Sequence, residues 1–173
     1  MKRIISLAVL IVLLATVHVG AQTAVYVQKN ALVQNNCQDL KATLDRIHRS
    51  DATMRVNRGQ FYEALLKNFL TNFNDRLVIN DYNNADFATL SDSYRDRLEQ
   101  FRDNYSTHEK DLDTVIGTDC TKAPGDFYEK LRTAQNSRLI VERDIESLNS
   151  IIVSYKDAVV EFQEIYKELE SST

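Results

Sequence analysis

A seven-residue recurrence in the last third of the chain limits what it can fold into more than any other feature. Phe127, Ala134, Val141, Leu148, Tyr155, Phe162 and Leu169 recur at that interval, and Leu131, Arg138, Ile145, Ile152, Val159 and Tyr166 interleave at steps of four and three. A strand sends successive side chains to opposite faces, so only a helix keeps such a set on one stripe, and this stripe is a coiled-coil seam about six heptads long. The spacing predicts a helix over about 126–170. Pro124 and Gly125 stop any earlier helix, and Asp126 with Glu129 three residues on reads as a capping box.

Two further segments carry the same period. In the middle, Phe87, Tyr94, Phe101, His108 and Val115 form one row and Leu98, Tyr105 and Leu112 its neighbour, which predicts a helix over about 86–116 that ends at Gly117. Asn83, Asn84 and Asp86 are its capping candidates. Toward the N-terminus, Val33, Cys37, Leu40, Leu44, Ile47, Asp51, Met54, Arg58, Phe61 and Leu65 alternate steps of four and three. The row then slips by one residue to Leu66, Phe69, Phe73 and Leu77, which predicts a local change of helical winding. This helix is read as 36–76, started by Asn36 with Asp39, with Gly59 a weak point inside it.

Three amphipathic helices with short connections stack most simply as an all-α, elongated up-down-up three-helix bundle over 36–171. One Pro and four Gly among 173 residues are too few for a β-sandwich or barrel, which needs turn residues roughly every 8 to 12 positions. Residues 22–35 read as a linker to the segment before them.

That segment reads as a secretory leader. Met1-Lys2-Arg3 precedes an apolar run from Ile4 to about Val17, and Val19 and Ala21 occupy the small-residue positions of a cleavage site, so 1–21 is expected to be a signal peptide. The alternative is an uncleaved anchor, and a membrane contact is expected only in that case. Loss of Lys2 and Arg3 takes two charges from 21 basic residues against 25 acidic ones, about −6 for the mature chain. Phosphate binding needs a basic stripe, so no nucleic-acid partner is expected.

Export makes the two cysteines legible. Cys37 opens the first helix and Cys120 lies between the second and third, which places both at one end of an up-down-up bundle. A structural Cys37–Cys120 disulfide is expected, since an exported chain meets oxidising surroundings and no Cys-x-x-Cys pair is present. The bond also sets the register. A first helix running straight to Asn80 would carry Cys37 roughly 12 Å past Cys120 at 1.5 Å per residue, so the helix is expected to stop between 74 and 78.

Asp51 and His108 interrupt the apolar rows at one height, and Arg138 follows one helical turn later, a gap that long side chains bridge. Two readings compete: a polar layer in which Asp51 accepts from His108 or Arg138 and selects the register, and a solvated edge with stems on apolar neighbours and heads in water. No catalytic site, cofactor or metal site is expected. His48 and His108 are the histidines outside the leader, no ligand spacing is present, and the chain lacks phosphate-loop, nucleophile-elbow and zinc-helix motifs. Asn104-Tyr105-Ser106 matches a glycosylation acceptor in form, with its Tyr on an apolar row.

These features point to a non-enzymatic, exported module of the envelope or extracellular space that works through its surfaces. A protein partner or self-association is expected to use Leu139, Ile140, Ile151, Val160 and Ile165, which flank the main seam. An extracytoplasmic holdase clamping clients with its aromatic side chains, and a membrane-tethered stalk, are the alternatives.

Overall fold

The computed structural model describes residues 27–171, with side chains through 167. The leader reading over 1–21 therefore lies outside the described residues. All regular structure among them is helical: α1 (Cys37–Leu65), a π-helical segment (Leu66–Thr71), α2 (Asn72–Ile79), α3 (Ala85–Gly117) and α4 (Pro124–Ser171). Residues 27–35, read as linker, are helical as well, and Val33 within them is buried beside the disulfide.

The first three elements form one continuous rod that runs antiparallel to α3, and α3 runs antiparallel to α4. The α3–α4 contact is the most extensive, and the first rod rests on the pair. Both rows read on α3, Phe87 to Val115 and Leu98 to Leu112, are buried, as are Phe127, Ala134, Val141, Leu148 and Tyr155 of α4.

The one-residue slip in the first rod becomes the π-helical segment. Tyr62 and Leu70, eight residues apart, are both buried where a heptad would place seven. A single π turn closes through i→i+5 bonds and absorbs the extra residue without breaking the rod. The rows read through this region shift accordingly: Phe61 and Phe69 stand 60% and 67% exposed, and their neighbours Tyr62 and Leu70 take the core positions.

The rod ends at Ile79, beyond the 74–78 stop that the register argument demands. Its terminator is a Schellman motif, with the Tyr82 amide on the Leu77 carbonyl at 2.9 Å and the Asp81 amide on the Val78 carbonyl at 3.1 Å. Asp81 occupies the left-handed position (φ 59°) where glycine is usual. The connection after α3 supplies reach that a helix would not. Thr118 is extended (φ −80°, ψ 136°), so the chain leaving α3 advances at about 3.3 Å per residue instead of 1.5. Residues 53–58 of the first rod are all exposed. Cys37 and Cys120 meet with their Cα atoms 5.5 Å apart and form the disulfide.

The other boundaries differ in detail. α4 starts at Pro124, whose missing amide costs nothing in a first turn, and Asp126 sits inside that turn bonded to Lys130 at 2.8 Å. The preceding turn is built by Asp119, whose carboxylate accepts from the Thr121 and Lys122 amides and the Thr121 hydroxyl. These donors, the hydroxyl foremost, pull its carboxyl down to about 2. Asn36 is a turn between two helical stretches, its amide on the Leu32 carbonyl at 2.8 Å.

Candidate functional site

The core is two apolar clusters. One surrounds the disulfide, with Val33, Leu44, Leu112, Val115, Phe127 and Ala134. The other is aromatic and runs from Tyr62 and Phe101 to Phe87 and Tyr155, with rings edge to face at 5.2 Å for Phe73–Phe87 and 5.3 Å for Phe87–Tyr155. Asp51, His108 and Arg138 lie at the junction.

The structure brings these three together. The Asp51 Oδ2 atom is 3.6 Å from His108 Nε2 and 3.8 Å from the Arg138 guanidinium. The Asp51 and His108 side chains retain 13% and 5% exposure and Arg138 45%, so the carboxylate and imidazole are interior while the guanidinium reaches in from the edge. The His108 Nδ1 atom lies 3.1 Å from the Ala134 carbonyl and 3.2 Å from the Ser137 hydroxyl. A carbonyl only accepts, so Nδ1 carries a proton. Among the described residues, Nε2 is the one buried side-chain nitrogen or oxygen without a hydrogen bond. Tyr105 closes the layer from below by donating its hydroxyl to the Asp51 carbonyl at 2.5 Å. Burial first, then the Asp51 carboxylate, pushes that phenol up to about 12.

Above this level the seam opens. A cavity of about 240 Å³ lies between α1 and the α3–α4 pair, with Phe101, Val141 and Ile145 as its floor and Met54, Arg55, Arg58 and Arg138 around its mouth. A second hollow, of about 400 Å³, adjoins it across Arg55 and Tyr105.

A second polar layer escaped the sequence reading. Asp144, 4% exposed, accepts from the Asn104 side-chain amide at 2.7 Å and from Arg97 at 3.4 Å. The row on α4 that faces α3 is Ser137, Asp144, Ile151 and Ala158, whereas the row read from the heptads, with Arg138 and Ile145, faces the looser first rod. Ile151, read as a surface position, thus packs against the core. The acceptor sequence at Asn104 spends its amide on Asp144.

Outside the core, Leu139, Ile140, Val160 and Ile165 are exposed, as read, and Val153 joins them. Leu139, Val153 and Val160 are whole heptads apart and share one stripe, with the exposed Glu146 between the first two. An almost wholly apolar groove of about 320 Å³ runs beside Val160, with Leu65, Phe69, Phe73, Ile152 and Val159 in its walls. No described helix is long and apolar enough to cross a membrane. Among the described residues no three His, Cys, Asp or Glu side chains gather as metal ligands. Comparison with protein-family models, curated proteins and solved structures gave no match.

Proposed function

We propose that this chain is an exported, non-enzymatic up-down-up three-helix bundle, an interaction or scaffold module of the envelope or extracellular space. The observation that carries the reading is the stripe of Leu139, Val153 and Val160 on α4, 54%, 57% and 44% exposed on a helix whose other face buries Val141, Leu148 and Tyr155. Apolar side chains in register along one outer face are what a partner helix or a second copy would cover. The Cys37–Cys120 pair fits an oxidising compartment, in keeping with a leader over 1–21.

Light scattering joined to intact-mass analysis, on protein recovered from its native host, tests this reading. The expected result is a chain lacking residues 1–21, with the disulfide formed, in an assembly larger than one chain that Val153→Asp reduces to single subunits. A single-chain species at all concentrations, unchanged by that substitution, with the leader retained, counts against it. The groove beside Phe69 and Phe73 favours the holdase as second reading. Suppression of client aggregation that Phe69→Ser abolishes would promote it over the first.

A further inference from the structure

We propose that the cavity between α1 and the α3–α4 pair is a binding site for a small neutral alcohol or phenol, whose hydroxyl meets His108 and Asp51 while its apolar body covers the floor. The polar end is where the structure leaves hydrogen bonding unfinished. His108 is 4% exposed and lines the cavity, and its Nε2 atom is the one buried side-chain nitrogen or oxygen among the described residues without a hydrogen bond. Asp51 lines the cavity beside it, with Oδ2 3.6 Å from that nitrogen and 3.8 Å from the Arg138 guanidinium, both too far for a hydrogen bond. A buried polar atom in this condition destabilises the fold, and a ligand that bonds to it removes that penalty.

The geometry selects a hydroxyl. Two atoms 3.6 Å apart can both lie within about 2.8 Å of a single oxygen, and a hydroxyl both donates and accepts. With Nδ1 holding a proton against the Ala134 carbonyl, a neutral ring presents Nε2 as an acceptor and a charged ring presents it as a donor. A hydroxyl answers either form: it donates to the neutral ring, or accepts from the charged ring and donates to Asp51. The mouth selects against charge. Arg55, Arg58 and Arg138 stand there with Asp51 and Glu142, and Glu109 holds Arg55, so three guanidinium groups meet three carboxylates and neither sign prevails. An ammonium head would lie against Arg138, and a carboxylate head against Asp51.

The floor sets the rest of the ligand. Phe101 and Val141 are 2% and 6% exposed, Ile145 lies beside them and Met54 stands at the mouth. The volume of about 240 Å³ exceeds the roughly 150 Å³ that holds benzene in an engineered apolar cavity, so one ring with a short alkyl tail fits. A single water would satisfy the polar end and leave the apolar floor wet, whereas a phenol covers both. The site goes beyond the proposed interaction role and does not depend on it, since none of Leu139, Val153 and Val160 lines the cavity.

Isothermal titration of the folded, disulfide-bonded chain with para-ethylphenol tests the site. Its controls are the isomer para-methylanisole, which has no hydroxyl, and the charged para-methylbenzoate and para-methylbenzylammonium. Saturable one-to-one binding of the phenol is expected, with the other three at least about tenfold weaker, as befits the loss of one buried hydrogen bond. In protein carrying isotopically labelled histidine, the His108 ring-nitrogen resonances should move along the same saturation curve, while those of His48, outside the cavity, stay in place. Met54→Trp, which fills the mouth, should abolish binding, and His108→Phe should weaken the phenol about tenfold without weakening the ether. Residue 54 is exposed, and circular dichroism checks that each variant keeps its helices. Should His108→Phe fail to fold, the nitrogen resonances of the unaltered chain decide. Lys156→Ala, in the separate apolar groove, should change nothing. The proposal is overturned if the phenol gives no saturable heat, if the ether or a charged analogue binds equally well, or if the phenol binds without moving the His108 resonances.

Discussion

The Tyr155 hydroxyl donates to the Asn74 side-chain oxygen at 2.8 Å, and the Asn74 amide donates onward to the Ser91 hydroxyl at 2.8 Å and the Phe87 carbonyl at 3.2 Å. One part-buried chain of hydrogen bonds thus joins α4, α2 and α3 at the end farthest from the disulfide. The Leu70 carbonyl, at 3.2 Å from the same hydroxyl, lies in the π-helical segment. Tyr155→Phe keeps the ring and removes the donor, leaving the part-buried Asn74 Oδ1 without this partner. A loss of about 1–2 kcal/mol is expected in urea unfolding, against a smaller loss for the double variant Tyr155→Phe/Asn74→Leu than the two single losses summed.

Alkaline pH should unfold the protein through the same side chains. Burial pushes the Tyr155 and Tyr105 phenols up to about 12, and moves Tyr94 and Tyr62 upward too. Below pH 10 these phenols are neutral in both folded and unfolded chains. From pH 10 upward the unfolded chain releases protons that the folded one holds, so stability falls with pH and is lost as pH passes through about 12. Tyrosinate absorbance and helical circular dichroism should change together in this window. Ionisation of all the tyrosines with helicity intact would contradict the burial argument.

Two backbone positions carry avoidable cost. A Cβ built on Gly59 meets nothing within 4 Å, so Gly59→Ala should stabilise by about 0.5–1 kcal/mol through helix propensity alone. Asp81→Gly should gain a similar amount, about 0.5–1 kcal/mol, by relieving the left-handed backbone at the Schellman position. The sites are far apart, so the gains should add in thermal melts.

The disulfide closes a loop with a sequence separation of 83 residues. In the chain-entropy model that is worth about 4 kcal/mol. Cys37→Ser/Cys120→Ser should lower stability by about 2–4 kcal/mol, with amide exchange rising first over Val33 to Leu44, where the first rod loses its tie to the Cys120 turn. Uniform loss of protection along the whole chain would show that the bond acts on the unfolded chain alone.

Asp51 and His108 face each other across the junction of the two apolar clusters at 3.6 Å. Asp51→Ala and His108→Ala should each destabilise by about 1–3 kcal/mol, and the double variant should fall short of their sum by at least about 0.5 kcal/mol. Additive losses would restore the solvated-edge reading of Asp51.

How much was legible depended on how local the cause was. The rows of α3 and the Phe127-to-Tyr155 row of α4 could be read because each helix must turn one stripe inward whatever it packs against. The disulfide followed from the order of three helices, and the Asp51, His108 and Arg138 layer from the register that the disulfide sets. In the first rod, two adjacent apolar choices at 61/62 and 69/70 offer the core equal hydrophobicity. A π turn decided between them, and the stop at Asp81 carries no glycine to announce it.

The sequence by itself therefore determined helical class, the inward faces of α3 and α4, and which end holds the sulfur bridge, since these depend on periodicity and chain order alone. Only the tertiary structure decided the asymmetry. With α4 packed more closely on α3 than on the first rod, Asp144 and Ser137 become interior and Arg138 an edge residue. The spacing of α1 from the α3–α4 pair leaves a cavity whose floor and mouth come from three different elements. No local pattern encodes the distance between helices, because that distance is set by the side chains of all of them at once.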